Sequence, residues 1–280
     1  MKRIIMPIAA ALAALVLPSC FQQNVTITLN KDGSGTIVEE TVFGAQMSAM
    51  LGGLGGLGGA QGGDAKDPLK ELTSEDKAKE RATKLGEGVT FEKSEAIDAD
   101  GKKGARVTYR FADINKLKYS DASEAMGKAL GDAAPQPEGD KAKDKKPTTF
   151  KYADGVLTIT NPDEDGPAKE GDKEENKEDA PEEAGPEAAQ AEAMAKAMMA
   201  DMKISLKMVF TAGIAETNAT HVDGDTVTLA EMDMGKVLNT PGAFAKMKDA
   251  GNDSAKAMEA LKDVKGVKVE TKKEITVRVK

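Results

Sequence analysis

The chain cannot be stapled by an internal disulfide, because its 280 residues include a single cysteine, Cys20. Aromatic side chains make up 4% and tryptophan is missing, so any core has to be assembled from Val, Ile, Leu, Met and Ala. Histidine occurs once. His221 stands near Asp223 with no paired nucleophile and no second ligand at metal spacing, which argues against a hydrolase triad and most zinc sites. It reads as a polar surface residue at a strand end. A basic excess is lacking too: 39 Lys and Arg face 47 Asp and Glu, a net charge of −8. That disfavours nucleic acid as a partner, since binding it needs a basic footprint, and it disfavours a polybasic grip on anionic lipid headgroups. The glycine run at 52–63 has no Lys-Ser/Thr behind it, so it is not a phosphate-cradling loop.

What the chain does contain begins with an address. Lys2 and Arg3 precede an uncharged stretch, Ile4 to Leu17, that is too short to span a bilayer comfortably and has the layout of an export signal. Its ending, Leu17-Pro18-Ser19-Cys20, resembles the lipobox of bacterial lipoproteins, with Leu at −3, Ser at −1 and a less usual Pro at −2. That resemblance implies removal of residues 1–19, lipid on Cys20 and attachment to a membrane. Two or more acyl chains hold stably, at about 0.8 kcal/mol per buried methylene. Phe21 follows the cysteine where an Asp would imply inner-membrane retention, so in a cell with two membranes the outer one is expected. The alternatives are an ordinary cleaved signal that leaves Cys20 as a thiol, or a permanent anchor. The mature chain keeps 37 basic and 47 acidic side chains, a net of −10.

Alternation and turn chemistry organise the rest. Residues 24–43 read as a hairpin: Val25, Ile27 and Leu29 alternate with polar residues, and Lys31-Asp32-Gly33-Ser34-Gly35 supplies the turn. Leu69 to Leu85 reads as a helix capped within by Thr73 and stopped by Gly86. A second hairpin pairs Val89 and Phe91 with Val107, Tyr109 and Phe111, and a weaker helix is expected from Ile114 to about Leu130. Thr148 to Thr160 forms a short hairpin across Asp154-Gly155. An Ala/Met-rich helix from Ala188 to Met202 leads into a strand over 203–211. Ile214–Val222 and Thr226–Ala230 form a hairpin, Ser254–Val264 a helix, and Val267–Val279 one closing strand. Two tracts read as disordered insertions, 133–147 and 161–187. The second carries twelve acids, three lysines and four prolines and cannot bury enough apolar surface to order itself. Residues 44–67, with Leu51, Leu54 and Leu57 spaced by glycine pairs, form a low-complexity loop. Together these give one α+β domain over 20–280, an antiparallel hairpin-rich sheet with packed helices and a core of about 190 residues.

The opening Val25-Thr-Ile-Thr-Leu-Asn-Lys-Asp-Gly-Ser-Gly35 hairpin behind Cys20, the segment Val107-Thr-Tyr-Arg-Phe-Ala-Asp113 and the later Asn218-Ala-Thr-His-Val-Asp-Gly-Asp-Thr-Val-Thr-Leu229 look like the LppM-type bacterial lipoproteins. The likeness covers residues 20–43, 85–118 and 203–238 and carries no catalytic motif. It implies a cell-envelope module that handles lipid or other hydrophobic ligands. The glycine repeat and the acidic tract depart from that pattern.

Candidate functional residues follow from these features. Asn30-Lys-Asp32-Gly-Ser34-Gly35 looks like the start of a calcium loop, but position twelve is Thr41 and a hairpin turn accounts for every residue. Glu39 and Glu40 are adjacent in a strand, so they point to opposite faces and cannot share a site. Met194, Met198 and Met202 recur at i, i+4, i+8 on one helix face. Thioethers can hold Cu(I), yet a pliable apolar stripe packed on the sheet, or lining a pocket, accounts for them. Met47, Met50, Leu51, Leu54 and Leu57 would emerge near the anchored end, as a membrane-dipping lip, a lid over an apolar pocket, or an inert linker. No metal or cofactor is expected. The reading is a non-catalytic, lipid-anchored envelope protein that binds lipid or another apolar ligand. The alternative is a structural or assembly lipoprotein that binds a protein partner.

Overall fold

The computed structural model describes residues 21–45, 47–49, 68–119, 147–161, 200–243, 246 and 260–280, and among them strand far exceeds helix. The leader with Cys20, residues 50–67, 120–146 and 162–199, and the first part of the expected 254–264 helix lie outside the described residues, as do the bulk of both acidic or Pro-rich insertions.

The opening hairpin forms as its alternation demands. β1 (Phe21–Leu29) and β2 (Gly35–Phe43) pair in register from Phe21↔Phe43 to Leu29↔Gly35. Every odd residue of β1 is buried and every even one half-buried, the period of a strand with one face on a core. Asp32 closes the turn by accepting from Ser34 Oγ (2.6 Å) and Ser34 N (3.0 Å), with Gly33 at φ +88°. Those bonds use the atoms of the calcium-like motif. Gly35 is required by packing, since a Cβ there would lie 1.9 Å from the Thr28 carbonyl oxygen.

The second hairpin, β3 (Val89–Ala99) and β4 (Lys102–Phe111), joins the first through β2–β4 pairing. Between the hairpins the expected single helix is two: α1 (Pro68–Thr73) and α2 (Glu75–Leu85). The break falls at Ser74. Its side chain caps α2 by accepting from Lys77 N, while the Thr73 hydroxyl turns back to the Lys70 carbonyl (3.2 Å). Ala78, Ala82 and Leu85 form the buried stripe of α2 against the core.

The helix expected from Ile114 is one 3₁₀ turn (Ile114–Lys116), followed at once by β5 (Lys118–Tyr119). Asp113 caps the turn, and Leu117 bridges to Gly86, which takes the chain into a second sheet. There β6 (Thr148–Ala153) and β7 (Val156–Thr160) make the short hairpin that was expected.

The C-terminal half departs from simple hairpins. β8 (Lys203–Phe210) lies parallel to β1 and antiparallel to β11 (Thr226–Asp233). The strand expected over 214–222 divides: β9 (Ile214–Thr217) joins the second sheet and β10 (Val222–Asp223) the first. The closing strand divides likewise, into β12 (Val267–Val269) beside β11 and β13 (Glu274–Val279) between β7 and β9. Between β11 and β12 stands a short helix, α3 (Met234–Leu238), capped by Asp233. The first sheet is ordered β10-β11-β8-β1-β2-β4-β3 with β12 also on β11, and the second β5-β6-β7-β13-β9. Ile27, Leu29, Ile37, Phe111, Met208 and Phe210 from the first meet Leu157, Ile159, Ile275 and Val277 from the second in one core. The chain passes between the sheets after β9 and again after β12, and Glu270 ties these two crossings together. It is 5% exposed and accepts from Thr220 N (2.5 Å), Thr220 Oγ1 (3.1 Å) and Lys272 N (3.3 Å).

Candidate functional site

The inward face of the first sheet changes character along its length. At the β1–β2 turn end it is wholly apolar: Ile27, Ile37, Tyr109 and Phe91 form one cross-strand row. The next row is Val25, Glu39, Val107 and Ser94, and the one beyond is Gln23, Thr41, Ala105 and Ala96. Cross-strand partners share a face. Polar groups therefore occupy positions where the strand period calls for apolar ones.

Glu39 and Glu40 do point to opposite faces, as adjacent strand residues must. Glu40 meets Arg106 on the outer face (Nε–Oε2 2.9 Å). Glu39 turns inward and receives a hydrogen bond from Arg81 Nη2 of α2 (3.1 Å). The pair is 16% and 27% exposed at the side chains, so most of its solvation is lost. Burial opposes the charge on Arg81, but the Glu39 carboxylate outweighs it and holds the guanidinium above its usual value. The Tyr109 phenol is pushed up, first by burial and then by the Glu39 charge, with Arg81 pulling the other way. Around this group lies a cleft of about 160 Å³, lined by Glu39, Thr41, Arg81 and Tyr109 with Leu72, Ala78, Ala105 and Val107, and rimmed by Glu71 and Lys77. Two buried polar atoms on the flanking strands have no hydrogen-bond partner among the described residues, Gln23 Oε1 and Ser94 Oγ. The sequence carried a signal for this site that the reading of the acid pair passed over: Glu39 and Thr41 fall on the buried parity of β2, in step with Ile37 and Phe43.

Beside the cleft, at the end of β1 away from the turn, the Phe21 and Phe43 rings pack at a 46° tilt with centroids 5.3 Å apart. Met47, Leu72 and Met202 pack on this pair. Met47 belongs to a helical turn that follows β2 directly, with Ser48 N bonded to the Gly44 carbonyl (2.8 Å) and Ser48 Oγ to that of Phe43 (3.1 Å). The expected loop over 44–67 thus opens in helix. Met202 also packs on Met234, Val237 and Leu261, and Met234 N bonds to its carbonyl (2.9 Å). Of the residues singled out in the sequence, Met47 and Met202 therefore come together. Met50, Leu51, Leu54, Leu57, Met194, Met198 and Cys20 lie outside the described residues. His221 is half-buried and offers its carbonyl to Thr228 N (2.9 Å). Among the described residues no cluster of His, Cys, Asp and Glu could hold a metal, no helix is long and apolar enough to cross a membrane, and Val222 is the one large apolar side chain left strongly exposed.

No known protein family matches the chain, and no curated protein does. A solved structure is similar. It is the NMR structure of the folded domain of Mycobacterium tuberculosis LppM, with 10% identity over 78% of this chain and 85% of that one, at a TM-score of 0.28. This is the family whose hairpins the sequence resembles. A TM-score that low does not establish a shared fold.

Proposed function

We propose that the protein is a non-catalytic module held at a membrane surface through lipid on Cys20, and that it engages lipid or another apolar ligand with the Phe21–Phe43 end of its first sheet. One observation carries this reading. The residues that bound two independently notable segments converge on the aromatic pair beside the anchor position: Met47 and Leu72 flank the glycine-leucine stretch, and Met202 ends the methionine-rich one. Phe21 is the residue after Cys20, so this end of the sheet sits within one residue of the expected anchor, about 3.8 Å along the backbone. Apolar side chains gathered at the anchored end are where a bilayer or a lipid chain would be met. The cleft of about 160 Å³ is smaller than the roughly 300–1,000 Å³ of ordinary ligand pockets, so a whole lipid is not enclosed by it.

The test uses residues 20–280 with Cys20→Ser, and compares it with a variant in which Leu51, Leu54 and Leu57 are all Ser. The parent should co-sediment with liposomes. Each leucine seated in lipid contributes about 1.5–3 kcal/mol, so the triple variant should lose more than about tenfold in partitioning. A parent that stays in the supernatant, or a variant that binds as well as the parent, overturns the reading and favours an assembly role. Separately, mass spectrometry of the native N-terminus should find acyl mass on Cys20.

A further inference from the structure

We propose that the outer corner of the first sheet, where β8, β11, β12 and α3 meet, is a docking surface for the anionic phospholipid headgroups of the membrane that carries the protein. The proposal rests on the reading that Cys20 is lipidated, and not on the apolar contacts at the Phe21–Phe43 end.

The corner is assembled from residues far apart in the chain. Lys203 of β8 pairs with Asp233 of β11, Ser205 with Glu231, and Glu231 in turn with Lys268 of β12. Cross-strand partners share a face. Through β8 that face continues to Gln22, Asn24 and Thr26 of β1, the parity opposite to buried Val25 and Ile27, so it is the side of the sheet turned away from the core. Lys207 reaches Glu231 across the ladder (2.9 Å), and Lys268 approaches the same carboxylate at 3.6 Å. Lys203 (3.3 Å) and Lys236 of α3 (3.5 Å) close on Asp233. Four lysines thus share two carboxylates, a surplus of two positive charges. Asp201 and Asp263, which flank the corner in sequence, are matched in number by Lys262 and Lys265.

Depth gives that surplus a direction. The carboxylates lie low, 14% exposed for Asp233 and 25% for Glu231, while the lysines are 37–54% exposed. The corner therefore presents ammonium groups outward, each with donors beyond the one its carboxylate can take. Ion pairs this exposed contribute little to stability, so the arrangement is not explained by what it adds to the fold. Phosphate groups arriving from outside would meet all four lysines without displacing either carboxylate. An anionic surface is the electrostatic complement.

Position selects the membrane among anionic surfaces. Lys203 stands opposite Gln22, two residues from Cys20, and β1 begins at Phe21 with no tether between anchor and sheet. α3, with Lys236, starts where β11 ends at that same edge. Lys207 lies four residues farther along its strand, about 13 Å at roughly 3.3 Å each. The net charge of −8 conceals the patch, since its lysines are scattered between positions 203 and 268 and meet only through the β8–β11–β12 ladder. An anchored protein needs no affinity from them. The surplus instead sets which side of the sheet faces the headgroups, while the acidic remainder of the chain is repelled by the same surface.

The test fixes the anchor chemically, so that apolar contacts do not decide its outcome. Residues 20–280 are coupled through Cys20 to a maleimide-bearing phospholipid, in vesicles of phosphatidylcholine alone or with about 30% phosphatidylglycerol. Lysines are then labelled briefly with an acetylating reagent and read by mass spectrometry. With phosphatidylglycerol present, Lys203, Lys207, Lys236 and Lys268 should label at least about threefold more slowly than in phosphatidylcholine. Lys31, exposed in the turn at the other end of β1, should label alike in both. Sodium chloride at about 0.5 M should remove the difference. Lys203→Gln with Lys268→Gln leaves one lysine to each carboxylate, which cancels the surplus without stranding an acid. In that double variant Lys207 and Lys236 should label equally in the two vesicles, with the urea midpoint near the parent's. Equal labelling of the parent's patch in both vesicles overturns the proposal, as does protection that persists in the double variant. Slow labelling in phosphatidylcholine and in untethered protein alike also overturns it, and points to the chain's own acidic stretch, 161–187, as the occupant. Because the tether replaces the apolar grip, the variant at Leu51, Leu54 and Leu57 should label like the parent, and failure of the liposome test leaves this result legible.

Discussion

Replacing Glu270 should loosen the seam between the two sheets, and the size of the effect can be worked from its bonds. The chain leaves the second sheet after β9 at Asn218–His221 and leaves the first after β12 at Glu270–Lys273, and the Glu270 carboxylate ties the two crossings together. It accepts three hydrogen bonds, two from Thr220 and one from Lys272 N. Lys272 Nζ adds bonds to the Asn218 carbonyl and to Thr220 Oγ1, which survive loss of the carboxylate. A hydrogen bond to a charged group nets about 1.5–3 kcal/mol, and a neutral one about 1. Thr220 and Lys272 are exposed residues, so water can replace part of what they lose, and the lower figure applies. Glu270→Ala should therefore cost about 3 kcal/mol. Glu270→Gln keeps one acceptor but turns an amide N–H₂ toward a backbone donor, and should cost about 1–2 kcal/mol. Urea unfolding followed by circular dichroism reads both, with an unchanged m-value expected because the surface exposed on unfolding is the same. If both variants unfold within about 0.5 kcal/mol of the parent, the carboxylate does not hold the crossings and the argument fails.

Two further expectations concern charge. Arg81→Met strands the Glu39 carboxylate in a half-buried site and should cost about 2–4 kcal/mol, whereas Arg81→Met combined with Glu39→Leu should recover most of it; additive losses in that cycle would refute a coupled pair. Acid should weaken the first sheet from one edge. Lys207, and then Lys268, hold Glu231 below its ordinary 4.5, and Asp233, although burial pushes it up, is drawn below 3.8 by Lys236 N and Lys203. Carboxylates with lowered folded-state pKa stabilise fully above their ordinary values and lose that contribution as pH falls through the folded ones. The urea midpoint should thus be flat above about pH 6 and decline below about pH 4.5, and Glu231→Gln should flatten part of that decline.

Much of the architecture could be read directly from residues 21–160. β1, β2, β4, β6 and β7 alternate apolar and polar side chains between turns whose Gly and Asp residues accept positive φ, as at Gly33, Asp154 and Gly155, and those are local constraints. Local too is the opposition of Glu39 and Glu40, which strand geometry alone requires. What local pattern could not supply was partnership. The parallel pairing of β1 with β8 brings together residues about 180 positions apart, and periodicity does not say which strands meet or in which direction. The stretch 214–222 and the stretch 267–279 each read as one strand because their composition is continuous, yet each divides at the crossings that Glu270 ties together through Thr220, where the chain passes between sheets. Ile114 to Tyr119 has helix-compatible spacing, but pairing with β6 and the bridge to Gly86 take it as strand after a single turn. The candidate cleft was half visible. A Glu and a Thr on the buried parity of β2 announced an inward polar patch, since strand period fixes which face a residue takes. That Arg81 would reach Glu39 from 42 residues away depended on α2 packing along β3 on the inner side of the sheet, with Ala78 and Ala82 on its buried stripe. That helix-to-sheet contact exists only in the folded chain, so the site was settled by packing rather than by the order of residues.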